Sequence, residues 1–485
     1  MNSAEILPTP SAASTTTEAH ADLSATLERM RAALKKDGPP TYEKRIEQLD
    51  TLKKALVEQK HVLAKAVSED FGGRSHYETF SAEVMFLVTE IDHVREHLHE
   101  WMETEPRDVA WMFLPAKAEV VMQPVGVVGV LAPWNYPIQL CLSPLINALA
   151  AGNRVMIKPS EVAPRIAEEL RKFIEALFSP EVATVVTGGV DVAEAFTRLP
   201  FDHLVFTGST RLGKVVMRAA AENLVPVTLE LGGKSPAVVA EGYSIEDAAK
   251  KIMFGKCFNA GQTCVAPDYA LVPRARMDAF VEACRAAVTS MYPDLGKGDD
   301  YTSIVSDAHF ARLKGYLEDA RARGANVIDL ASTGGSDATK RRLPPALVLE
   351  ATDAMHVMQE EIFGPILPVF PYDTLDEAIA QINARPRPLA LYYFDSKQAR
   401  IDHVLRETTS GGVSINDVML HAIQADLPFG GTGASGIGAY HGREGFDTFT
   451  KKKPVFYQAR LSAVPVLRPP YGGRADFVLR TIVGK

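Results

Sequence analysis

Cysteine is scarce in this 485-residue chain: Cys141, Cys257, Cys264 and Cys284 are its four, and none forms a CxxC pair. So thin a set is no disulfide framework, and the expected state is free thiols in a reducing cytoplasm. No window approaches the roughly 18 uninterrupted apolar residues of a membrane span. An excess of positive charge is missing too. The formal net charge is -8, which argues against a general affinity for nucleic acid or anionic lipid. The N-terminal segment has neither a basic start nor an apolar core, so it does not read as a secretory signal. Its Ser, Thr, Ala and Pro content predicts a disordered lead-in over residues 1–22.

What is there is ordinary globular composition, 46% hydrophobic and 23% charged, in a chain long enough for two or three packed domains. Helical periodicity runs through residues 23–72 and 78–102. In the second, Phe80, Val84, Leu87, Val88, Ile91, Val94, Leu98 and Trp101 recur at three- and four-residue steps. Residues 118–132, β-branched and broken by Pro124, Gly126 and Gly129, read as strand, turn, strand. Apolar runs at 155–157, 183–187, 203–206 and 225–231 then read as buried strands with helices between them. One such helix opens at Pro164 and carries Ile166, Leu170, Phe173, Ile174 and Leu177 on its apolar face. A second series follows, with strands at 236–240, 268–272, 345–349, 366–370, 389–394 and 412–415. Its helices lie near 244–257, 275–290, 374–384 and 397–408. This alternation predicts two α/β domains with covered parallel sheets, meeting near the Gly-rich stretch 208–233.

Cys264 sits in Asn259-Ala-Gly-Gln-Thr-Cys264-Val-Ala-Pro267, a Gly-containing loop between a predicted helix and a predicted strand. A thiol there can be partly exposed, with nearby N–H groups favouring the thiolate. The loop alone leaves Cys264 open between nucleophile and small core residue; Cys141, Cys257 and Cys284 read as core. Five other segments stand out: Pro133-Trp134-Asn135-Tyr136-Pro137, Lys158-Pro-Ser-Glu161, Gly208-Ser209-Thr-Arg-Leu-Gly213, Glu230-Leu-Gly232-Gly233-Lys234 and Glu360-Glu361-Ile-Phe363-Gly364-Pro365. A Gly-rich run from Pro428 to Gly436 completes the set. His93 and His97 share a helix face with Glu96 and Glu100; such residues more often decorate a solvated face, and no metal site is expected.

In this order the segments resemble the aldehyde dehydrogenase superfamily from about residue 23 to 460. The class 3 branch is most similar, and within it the bacterial coniferyl aldehyde dehydrogenases. The resemblance implies an α/β fold with a Rossmann-like NAD-binding domain (23–102 and 125–231), an α/β catalytic domain (232–439), a small β oligomerisation arm (103–124 and 440–460) and a C-terminal tail (461–485). It implies a homodimer that oxidises a small-molecule aldehyde, aromatic ones such as coniferaldehyde first, with no nucleic-acid or membrane partner.

Carried onto these residues, the resemblance makes Cys264 the covalent nucleophile, with the Asn135 amide and the Cys264 N–H as oxyanion donors. Asn135 as a mere turn residue is the plain alternative. Glu230 becomes the base that activates water, against a surface carboxylate paired with Lys234, and Glu361 competes for that role. Otherwise Glu361 would hold the nicotinamide ribose. Lys158 and Glu161 would hold the adenosine ribose, and Gly208 and Ser209 a phosphate at a helix start, with Gly213 spaced unlike a GxGxxG fingerprint. Phe363 would pack beside the nicotinamide, unless it is ordinary core, and His441 would border the substrate entrance. Glu161 should repel a 2′-phosphate, so NAD is expected, with NADP the alternative. Three rival readings stay open: a medium- or long-chain aliphatic aldehyde dehydrogenase, a CoA-acylating enzyme, and a non-catalytic NAD-binding structural protein.

Overall fold

The computed structural model describes residues 10–295, 298–331, 337, 339–462 and 464–484. Its first sheet runs Gly436–Ile437, Val227–Glu230, His203–Thr207, Val127–Leu131, Arg154–Lys158, Ala183–Val185. All but the two-residue Gly436–Ile437 strand are parallel. From the Ala183–Val185 edge the parallel strands follow the doubly wound order 3-2-1-4-5. Chain direction across the sheet therefore reverses between Val127–Leu131 and His203–Thr207, which opens a crevice at the carboxyl ends of the strands. Lys158 and Gly208 stand at those ends.

Helix Pro164–Leu177 covers this sheet as its pattern demands, burying Ile166, Ala167, Leu170, Phe173 and Ile174. Each large apolar side chain so buried contributes about 1.5–3 kcal/mol.

The second sheet orders Asn326–Asp329, Ala346–Leu349, Ile366–Tyr372, Tyr269–Pro273, Pro236–Val239, Ala390–Phe394, Gly412–Ile415. It is parallel except at the Asn326–Asp329 edge. A third sheet pairs Lys117–Pro124 with Glu105–Arg107 and Thr450–Tyr457, all antiparallel. Among the described residues no helix is long and apolar enough to cross a membrane.

Several sequence expectations shift. The lead-in over 1–22 is helical from Pro10, within Pro10–Asp37, and residues 1–9 lie outside the described residues. Leu23, Leu27 and Met30, further along this helix, are buried in a core with Phe196, Leu199 and Phe201. The periodic stretch 23–72 is two helices, because Gly38 takes φ 74° and Pro39-Pro40 follows. Helix Phe86–Met102 is preceded by a π-turn at Phe80–Met85. Of residues 440–460, only Thr450–Tyr457 joins the third sheet; Tyr440, Phe446 and Phe449 are buried with helix Pro137–Ala150.

Candidate active site

The two large sheets meet at one short joint. Strand Val227–Glu230 ends the first, and after Leu231-Gly232-Gly233 the chain enters the second at Pro236. The Glu230 carbonyl accepts the Gly208 N–H at 2.9 Å. Its side chain is buried, with the residue only 2% exposed and neither carboxylate oxygen partnered. Burial drives its pKa well above the ordinary carboxylate range. The surface pairing with Lys234 is not formed. Lys234 bonds Asp268 and the carbonyls of Val357 (2.9 Å) and Glu360 (3.2 Å) instead. Asp268 Oδ1 in turn accepts the Ile362 N–H at 2.9 Å, so the segment carrying Glu361 is gripped on both sides.

Glu361 lies directly on Gly232, where a Cβ would overlap its Oε2. Burial and the nearby Asp268 push the Glu361 carboxyl up to about 8, against a hydrogen bond from the Gly233 N–H.

Cys264 follows three consecutive left-handed residues, Asn259 (φ 52°), Ala260 (φ 50°) and Gly261 (φ 74°). A Cβ at Gly261 would overlap the Gly364 carbonyl, so this loop packs against the backbone beyond Glu361. Cys141, Cys257 and Cys284 are buried, whereas Cys264 is partly exposed. Burial, then Glu361, then Glu230 push its thiol up to about 12, while the N–H groups of Cys264 and Val265 pull it down. The same N–H groups are thus at hand for negative charge beside the sulfur.

Asn135 closes the site from the first domain. It is buried, and its Nδ2 donates to the Gln262 carbonyl at 3.2 Å. Gln262 is itself fixed: Nε2 donates to the carbonyls of Asn259 (3.0 Å) and Ser303 (3.1 Å), and Oε1 accepts the Val305 N–H (2.9 Å). Tyr136 joins Thr263 through their hydroxyls at 2.6 Å. Adjacent residues on one segment thus hold adjacent residues just before Cys264. A turn role alone does not explain those bonds.

On the cofactor side, Lys158 is fully buried and donates to the Pro159 carbonyl (2.9 Å) and Glu161 (3.3 Å), whose side chain is 41% exposed. Ser209 is already in use as the N-cap of helix Thr210–Ala221, its hydroxyl accepting the Leu212 N–H at 3.4 Å. Gly213 is buried, and a Cβ there would stand 2.7 Å from Leu231, so this glycine lets helix and strand close together. Phe363 is half-buried at φ 51° and meets the Trp134 ring edge-on at 5.5 Å. A strained, partly exposed backbone position is unlike ordinary core.

His441 is buried rather than at a rim, between Phe86 and Phe429 with ring centroids 5.2 and 5.1 Å away. His93 lies tilted against His97 with ring centroids 4.4 Å apart and faces Asp426 at 3.5 Å. Among the described residues no three His, Cys, Asp or Glu side chains are grouped to hold a metal ion.

A model described as the aldehyde dehydrogenase family matches residues 9–455. The chain belongs to the aldehyde dehydrogenase family. Like the family it is an oxidoreductase that oxidises an aldehyde with a nicotinamide dinucleotide. A probable coniferyl aldehyde dehydrogenase of Pseudomonas aeruginosa is 50% identical over 93% of this chain and 94% of its own. A dimeric NADP-preferring aldehyde dehydrogenase of Rattus norvegicus is 37% identical over 91% of this chain and 95% of its own. The substrate-bound state of a Staphylococcus aureus AldH superposes with TM-score 0.89 at 39% identity, over 95% of this chain and 99% of that one.

Sequence reading missed several residues of this aldehyde dehydrogenase's site, among them Gln262, Glu78, Glu83 and Arg74. A Gln two residues before the thiol was visible as a signal; Glu78 and Glu83 lie in a helical stretch with no motif, and Arg74 in the short link before it.

Proposed function

We propose that this aldehyde dehydrogenase oxidises aromatic aldehydes of the coniferaldehyde type to carboxylic acids through Cys264. The observation that carries the mechanism is the convergence on one partly exposed thiol of Asn135, Glu230 and Glu361. The substrate class is supported by the relative of that name. The Cys264 thiolate adds to the carbonyl carbon, and the oxyanion is met by the Asn135 amide and the Cys264 N–H. Bound dinucleotide supplies the hydride acceptor. Loss of hydride leaves a Cys264 thioester, and Glu230, buried and without a partner, takes a proton from the water that hydrolyses it. Glu361 is the second choice as base, because the Gly233 N–H already holds it.

The residues fit a dinucleotide. Lys158 has used two of its three donors at the strand end, which leaves one for a ribose hydroxyl, and Glu161 beside it disfavours a 2′-phosphate. NAD is therefore the proposed cofactor, with NADP the rival that the rat relative's name supports. That name also supports a homodimer. The third sheet offers a surface for one, with Trp111, Leu114, Phe456 and Tyr457 exposed. A reducing cytoplasm suits an enzyme whose working thiol must stay unpaired.

Relative kcat/KM for coniferaldehyde, benzaldehyde and octanal tests the substrate class; octanal ahead of both aromatic aldehydes would overturn it. Acid formation without CoA, and no acceleration by CoA, is the expected result for hydrolytic release.

A further inference from the structure

A buried ion pair lies behind Asn135, in a segment to which no chemistry has been assigned. Arg74 Nη1 stands 3.2 Å from Glu83 Oε1, and both side chains are 0% exposed. Desolvating two charges costs several kcal/mol per ion before any gain, so such a pair is weak evidence for stability by itself. What the pair touches is more informative. Arg74 Nη1 donates to the Asn135 carbonyl at 3.0 Å. Glu83 Oε2 accepts the N–H groups of Ile138 (2.7 Å) and Gln139 (3.1 Å), the first free donors of the helix that Pro137 opens. Tyr136 offers that helix no side-chain cap, so Glu83 serves as one from a distant turn. The pair thus grips the chain on both sides of Tyr136.

Besides the Phe71 ring, 5.3 Å from the guanidinium, the contacts of this segment lead toward the Cys264 loop. The guanidinium lies 4.9 Å from the Tyr136 ring centroid, and Tyr136 bonds Thr263. The Asn135 carbonyl also accepts Asn259 Nδ2 at 3.1 Å, and Asn259 Nδ2 reaches the Gln262 carbonyl at 3.1 Å as well. Glu78, in the same segment, accepts the Asn259 N–H at 3.1 Å and the Thr302 hydroxyl at 2.5 Å. Arg74 Nε and Nη2 have no hydrogen-bond partner, so Nη1 carries the guanidinium's hydrogen bond to Asn135. The π-turn that carries Glu83 brings it to this place.

We infer that Arg74, held by Glu83, is a positioning residue for aldehyde oxidation. It fixes the Asn135 peptide so that the free amide proton of Asn135 points at the oxyanion formed on the Cys264 adduct. The inference rests on the proposed roles of Cys264 and Asn135. Arg74 touches no reacting atom; it acts through Asn135.

A double-mutant cycle tests this on the full-length enzyme, with the same aldehyde and dinucleotide throughout. Arg74→Met in the native background is expected to lower kcat by about 30-fold with KM within about twofold. In the Asn135→Ala background the same change is expected to cost less than about threefold, because the group being positioned is gone. Equal losses in both backgrounds, or no loss in either, overturn the inference. Should Arg74→Met fail to fold, Arg74→Lys carries the same cycle, since the compact ammonium of a lysine on its shorter stem does not reproduce the Nη1 that meets both the Asn135 carbonyl and Glu83. Turnover retained by Cys264→Ala would sink the underlying reading instead, whatever the cycle gave.

Discussion

Asn135 follows a strand of the first sheet and Gln262 precedes a strand of the second, yet they share one hydrogen bond, the Asn135 amide donating to the Gln262 carbonyl at 3.2 Å. Gln262 lies two residues before Cys264, so the bond fixes an amide beside the thiol. One amide proton is committed to this bond, which leaves the other free for the proposed role at the oxyanion.

Cys264→Ala is expected to abolish aldehyde-dependent NADH formation while the affinity for NAD, read by calorimetry, stays within about threefold of native. Turnover that survives the change removes Cys264 from the chemistry.

Glu230→Gln should leave a rapid first turnover and then stall, since the thioester forms but water is not activated. Stopped-flow absorbance of NADH reads this directly. A missing burst would point to a role before hydride loss, and a stall in Glu361→Gln but not in Glu230→Gln would exchange the two carboxylates.

Cys264 should be sluggish without dinucleotide. Its thiol is pushed up to about 12 by burial, Glu361 and Glu230, so iodoacetamide inactivation should climb about tenfold per pH unit through pH 9. Because Glu361 ionises near 8, Glu361→Gln removes a negative neighbour only above that pH and should speed alkylation there. A rate plateau reached by pH 8 in the native enzyme would contradict the burial argument.

Gly232→Ala should cost activity well beyond its cost in stability, because the new Cβ would overlap the Glu361 carboxylate. A loss of about tenfold or more in kcat/KM is expected from a displacement of that size, with thermal unfolding close to native. Native kcat/KM in this variant would show that the placement of Glu361 is unimportant.

Glu90 gives a stability test apart from catalysis. Its carboxyl is buried, with Oε1 accepting Ser143 Oγ (2.8 Å) and Asn147 Nδ2 (2.7 Å), and burial raises it to about 8. The raised value favours the neutral form in the fold, so stability falls as pH rises from about 4.5, where the unfolded carboxyl ionises, to about 8. Glu90→Gln keeps an acceptor and cannot ionise. Its melting temperature should exceed the native one at pH 8, with the gap closing at pH 5. A gap of the same size at both values would rule out titration of Glu90 as the cause.

Much of this was legible in the residues alone. The alternation of apolar runs gave the two parallel sheets, because a strand buried on both faces must be apolar throughout. The spacing of Ile166, Leu170, Phe173 and Ile174 gave a helix face. The ordered segments around Asn135, Glu230, Cys264 and Glu361 named the family. Helix Asp307–Ala322 and strand Asn326–Asp329 were missed, although Phe310, Leu313, Tyr316, Leu317 and Ala320 recur at helical spacing after the capping Ser306. The edge strand is half-exposed and so lacks a buried run.

Sequence therefore determined which chemical groups this chain carries and in what order, since composition, period and motif are local properties. Tertiary structure decided how those groups behave. Lys234 paired with Asp268 rather than Glu230, Gly213 became a packing position, and an unmarked Arg74 came to rest on the Asn135 carbonyl 61 residues away. Burial and long-range partners set these outcomes, and both depend on where distant segments of the chain fold together.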